Sequence, residues 1–201
     1  MAMRRAGLTR CLGFSVVEVT LILTILGVLS AATAPAIDDY VNQAKLVKAH
    51  HDVRTLSVTL IRLFSDTAAE ANIEHGWATY DLLVGPGTIP QTVEPGTEAW
   101  AATERVGLLD DHLLNNTPGY SPGDSTQVPR FGWRGAYLQD RVGSDPWGHR
   151  FAFNVRSLKT PGLDTVVLTA GPNGTVESLF EIDGLPNAGD DVAAGVSAAG
   201  H

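Results

Sequence analysis

The sequence predicts an α+β chain: a long N-terminal helix, apolar and membrane-spanning in its first half, packed on a small antiparallel β-sheet domain. Three observations carry this. Val19 to Ile37 holds no charged residue. Apolar positions then recur at helical spacing as far as Ser65, and Phe151, Phe153 and Val155 alternate as in a half-buried strand.

Arg4, Arg5 and Arg10 precede the apolar run, and the first thirteen residues hold no acid. Such a basic flank stays cytoplasmic, which sends the rest of the chain across the membrane. A span needs about 20 apolar residues, and residues 14–37 supply them. Glu18 interrupts this segment. A carboxylate costs roughly 2.5–3.5 kcal/mol at the centre of a span; near one end it costs less, but it still calls for a reason. Ala31, Ala32 and Ala34 could serve a secretory signal peptidase instead. Neither that reading nor a plain anchor helix explains Glu18. Cys11 is the single cysteine, so no intramolecular disulfide forms. It precedes the apolar run, which argues against lipid attachment.

Residues 38–66 continue the helix in amphipathic form. Tyr40, Ala44 and Val47 follow one line and Val53, Leu56, Leu60 and Leu63 a neighbouring one, while Lys45, Lys48, Arg54 and Arg62 take other faces. Pro35 removes one backbone donor and is read as a kink. From Phe14 to Ser65 such a helix is roughly 75–80 Å long.

Residues 67–201 form the globular part, with 67–131 a variable region and 132–201 a sheet and its closing loop. Two stretches rich in Pro, Gly, Ser and Thr, 84–100 and 116–132, read as loops. Between them, 100–114 has helical spacing through Val106, Leu109 and Leu113. Residues 164–170 and 178–183 are further strand candidates. Asp145-Pro146-Trp147-Gly148 is a turn sequence, Pro146 fixing φ and Gly148 permitting a left-handed residue. With Trp133, these residues are read as fold-defining.

Composition excludes several functions. The formal charge of −8 disfavours a nucleic-acid partner. His50 and His51 are adjacent and point about 100° apart on a helix, while His75, His112 and His149 are scattered without ligand spacing. There is no phosphate-binding glycine loop and no arguable catalytic set, so the chain is not expected to be an enzyme.

Gly13-Phe14-Ser15-Val16-Val17-Glu18 resembles the processing motif of type IV pilins and pseudopilins. The resemblance implies that a prepilin peptidase cuts after Gly13 and methylates the amino group of Phe14. It also implies a filament in which Glu18 meets the charged amino terminus of a neighbouring copy, and Pro35 falls where many members carry a helix-kinking proline. Two segments, 133–139 and 145–153, are similar to the Trp-Arg-Gly-x-Tyr and Asp-Pro-Trp-Gly-x-x-Tyr segments of major pseudopilins from type II secretion systems, with Phe151 in place of the usual tyrosine. The likeness covers residues 8–66 and 132–193; the region between is longer than that family's pattern.

The resemblance implies a type IV pilin-like fold and a structural subunit. That subunit is held in the bacterial inner membrane by one span, with its C-terminal domain periplasmic. Its partners would be copies of itself in a helical filament, other pseudopilins, the peptidase and an inner-membrane assembly platform. The alternatives are a type IV pilus subunit for adhesion, motility or DNA uptake, and a membrane-anchored secreted enzyme. The pilus reading is weakened by a mature chain without the cysteines that most pilins use to close a C-terminal loop. Major pseudopilins also hold calcium in such a loop. Carried over, Ala170 offers a carbonyl, Asn173 a side-chain oxygen, and Asp190 or Asp191 a carboxylate, a hard-oxygen set suited to calcium.

Overall fold

The computed structural model describes residues 13–71, 79–92, 95–121, 132–159, 163–181, 183–184 and 188–196. The basic N-terminal segment with Arg4, Arg5, Arg10 and Cys11 lies outside them, as does His75. The chain divides into two units, Met1–Gln43 and Ala44–His201.

The first unit is the start of α1 (Val16–Ala71). Every described side chain from Gly13 to Ala44 is exposed, including Leu21, Leu23, Val28 and Leu29. The helix is long and apolar enough to cross a membrane. It runs through position 35 without interruption and reaches Ala71, beyond the expected end near residue 66.

In the second unit, α1 buries Val53, Leu56, Leu60 and Leu63, the line that the spacing picks out, together with Ala49 and Phe64. Tyr40 and Val47, on the other line, are 72% and 69% exposed. The buried line packs on a five-stranded sheet of order β3-β1-β4-β5-β7. Its strands are β1 (Leu82–Val84), β3 (Val106–Leu108), β4 (Ala152–Asn154), β5 (Val166–Thr169) and β7 (Val192–Gly195). Pairing is antiparallel except between β1 and β3, so the sheet is mixed, not antiparallel as expected. The α+β class stands.

The sheet is covered on both faces. Leu83, Phe153 and Val167 belong to the core beneath α1, while Leu82, Val84, Ala152, Val166 and Leu168 join Trp100, Val176 and Phe180 on the other side. The alternation expected at Phe151, Phe153 and Val155 is present, but Ala152 and Asn154 between them are buried too. Arg150 anchors the second cover, donating from Nη2 to the carbonyls of Trp100 (2.8 Å) and Ala102 (3.0 Å). Trp100 in turn donates from Nε1 to the Ser178 carbonyl at 3.0 Å and meets Phe180 edge-on.

This cover explains two misread segments. Residues 178–181 form no strand. The carbonyls of Ser178 and Phe180 accept from Trp100 and Asn154 side chains, and the Phe180 N–H bonds Gly96. The helix expected over 100–114 is three pieces: a 3-10 turn (Glu98–Ala101), β3, and the short α2 (Leu109–Leu113). Arg105 adopts φ +55, which a helix does not accommodate, and turns the chain into β3. A two-stranded parallel pair, β2 (Gln91–Thr92) with β6 (Thr175–Val176), completes the domain.

Candidate functional site at the helix start and the acidic turn

Gly13, Phe14 and Ser15 precede α1 in non-helical conformation. Ser15 caps the helix: its Oγ accepts the Glu18 N–H at 3.2 Å and its carbonyl accepts the Val19 N–H at 3.1 Å. Glu18 thus occupies the third helical position, where a carboxylate complements the positive helix end. Ser-x-x-Glu is a capping signature that the reading of the sequence passed over. Thr20, Thr24 and Thr33 return their hydroxyls to backbone carbonyls one turn back, so the apolar stretch hides its own polar groups.

Trp133 and Tyr137 stack edge-to-face at 6.0 Å and pack against the core beneath α1. The Tyr137 hydroxyl donates to Asp66 at 3.1 Å, and Arg134 pairs with the same carboxylate at 3.5 Å. Burial is the main cause that raises the Tyr137 phenol to about 12. This segment clamps the later part of α1.

Asp145 organises the second aromatic segment. Its Oδ1 accepts the N–H groups of Trp147 (2.9 Å) and His149 (2.7 Å), and its Oδ2 accepts the Thr169 hydroxyl on β5. The turn through Pro146 and Trp147 closes from the Gly148 N–H to the Asp145 carbonyl at 3.1 Å, with Gly148 at φ +95. Asp145, although 4% exposed, is thus held by three donors.

The structure brings the C-terminal candidates together. Gly171 (φ +63) lies so close to Asp190 that any Cβ there would stand 2.2 Å from the Asp190 carbonyl oxygen. Asn173 donates its backbone N–H to Asp190 Oδ2 at 3.1 Å. Asp191 Oδ2 accepts the N–H groups of Glu177 (3.0 Å) and Ser178 (2.7 Å). Burial, the largest influence, raises the Asp191 carboxyl above its ordinary range, against these hydrogen bonds. Asn173 Oδ1 is committed to the Thr175 N–H at 2.6 Å, and Ala170, 1% exposed, joins the apolar cover.

The sequence reading missed Glu177. Its Oε1 accepts from Asn173 Nδ2 at 2.7 Å, and a Cβ at Gly189 would stand 2.3 Å from its Oε2. No local spacing signals it, because residues 173–177 run through a turn and a short strand, not a helix. Three buried carboxylate oxygens in this turn, Glu177 Oε2, Asp190 Oδ1 and Asp191 Oδ1, lack a donor. Among the described residues no group of three or more His, Cys, Asp or Glu is disposed to hold a metal ion. A cation here would therefore need amide or main-chain oxygens as well as carboxylates.

Comparison with family models, curated proteins and solved structures finds no match.

Proposed function

We propose that this chain is a structural subunit of a pilin-like filament, most similar to the pseudopilus that drives protein export in type II secretion. One observation carries the reading. The apolar first half of α1 is exposed on every side, immediately after the Gly13-Phe14 junction and with Glu18 in its first turn. An apolar helix of this length is stable only in lipid or against similar helices. Membrane storage followed by assembly provides both in turn, and the span orients the C-terminal domain to the periplasm.

In this reading Glu18 pairs with the amino group of Phe14 in a neighbour. A misplaced copy would leave a buried charge alone, so the pair sets register more than it adds stability. The work of the molecule is assembly, with no catalytic step. Mass spectrometry of the protein from its native host tests the reading. The mature chain should begin at a methylated Phe14; a terminus near Ala32 would establish ordinary signal cleavage and end the filament proposal.

The donorless oxygens of the acidic turn support a second element, a calcium ion bound there. Asp190 or Asp191 would supply the carboxylate, with main-chain oxygens of the 170–173 turn completing the set, since no three acids are disposed to hold an ion among the described residues. The ion would supply only charge neutralisation and a tie between the two segments.

A further inference from the structure

α1 presents a groove of about 690 Å³ to solvent, bounded by Arg54, Val58 and Arg62 on the helix and by Tyr137 and Leu138 opposite. Arg54, Val58 and Arg62 follow at i, i+4 and i+8, so they share one face. Val58 is 43% exposed between the two guanidinium groups. No carboxylate lines the groove, and among the described residues neither arginine forms an ion pair. A cationic groove without internal acid stands out on a chain of net charge −8.

Its complement lies on the same helix. Asp38 and Asp39 are the only acids between Glu18 and Asp52. Both are exposed and unpaired among the described residues, and they are flanked by Ile37, Tyr40 and Val41, which are 57%, 72% and 47% exposed. An acidic pair set among apolar side chains matches a basic groove with an apolar floor, in charge and in hydropathy. Two unpaired surfaces of opposite sign on one chain satisfy each other when copies stack.

We propose that the Arg54–Val58–Arg62 groove receives the Asp38–Asp39 turn of a second copy, an intermolecular contact additional to the Glu18 pairing. The contact rests on the filament reading and requires an axial displacement between parallel copies, which a helical stack provides. Each copy then gives its Asp38–Asp39 helical turn to one neighbour and its groove to another, a head-to-tail arrangement that propagates.

Charge reversal in the full-length chain tests it, because all four residues are exposed and none supports the core. Arg54→Glu with Arg62→Glu should lower filament yield by about tenfold, and adding Asp38→Lys and Asp39→Lys should restore most of it. As a second measurement, copies carrying Asp39→Cys and copies carrying Val58→Cys, both in a Cys11→Ser background, should form a mixed disulfide dimer on oxidation. Filaments indifferent to the reversal, with no mixed dimer, would overturn the contact and leave the filament standing. A wild-type chain that never self-associates would overturn both. Lost binding of Arg54→Glu/Arg62→Glu to anionic lipid vesicles, with no mixed dimer, would assign the groove to a membrane surface and overturn the contact.

Discussion

His112 is 1% exposed on α2, with its Nδ1 2.7 Å from the Tyr120 hydroxyl and its ring edge-on to Tyr80. Burial, the dominant influence, lowers it to about 4 from 6.5, although Asp111 pulls the other way. The fold therefore keeps this imidazole neutral. Below about pH 6.5 the unfolded chain takes up a proton that the folded chain refuses until about pH 4. The stability is fully present above pH 6.5 and is lost as pH falls towards 4. Between pH 7 and 4.5 this one group should cost on the order of 2–3 kcal/mol. Urea unfolding of a chain lacking residues 1–37 measures it: His112→Gln should remove that part of the pH slope. An unchanged slope would show that other groups set it. In the sequence His112 was one of several scattered histidines, because burial is a property of the fold and leaves no mark on local spacing. Glu18 was legible because a charge in an apolar run stands out, whereas its place in a helix cap required the neighbouring serine to be read with it.

The elements were legible in proportion to their length. α1 repeats its pattern over many turns, so its existence and the buried line from Val53 to Leu63 follow from spacing, whereas the line through Tyr40 and Val47 is exposed and the helix continues past residue 66 to Ala71. The strands run two to four residues, too short for a period to emerge. β7 follows Asp191 directly and pairs along β5 from Thr169↔Val192 to Val166↔Gly195, in a stretch read only as a loop. Its small residues, Ala193, Ala194 and Gly195, carry little strand signal. The acidic turn therefore sits where the last strand joins the sheet, and this position makes the proposed calcium testable. Without a cation, donorless carboxylate oxygens of Glu177, Asp190 and Asp191 oppose docking of β7. An ion binding only the folded state stabilises it by mass action, about 2.7 kcal/mol at a hundredfold excess over Kd. The chain lacking residues 1–37 should melt several degrees higher in millimolar calcium than in chelator. Asp190→Ala with Asp191→Ala should abolish the difference while circular dichroism still reports the fold. Equal melting temperatures for the wild type in both would leave these residues as an acidic turn that holds no ion.

At the scale of the whole molecule, the two ends of α1 obey opposite rules. Residues 49–64 bury their apolar line against the sheet, whereas every described side chain from Gly13 to Ala44 remains exposed. Glu18 is exposed and touches none of the buried line, so stability of the domain is separable from whatever Glu18 does. Two accounts of Glu18 now differ in a measurable way. As a capping-box residue it acts through hydrogen bonding at the helix start, which glutamine also provides. As the partner of a neighbour's amino terminus it acts through charge, which glutamine lacks. Glu18→Gln and Glu18→Ala should both leave membrane insertion and cleavage after Gly13 nearly intact, since each makes the span more lipid-soluble. The melting temperature of the globular domain should not change. Filament yield, measured on sheared or cross-linked material from cells expressing each variant, should collapse for both. Normal yield from Glu18→Gln with loss from Glu18→Ala would assign Glu18 to the helix cap. Normal yield from both would remove it from assembly altogether.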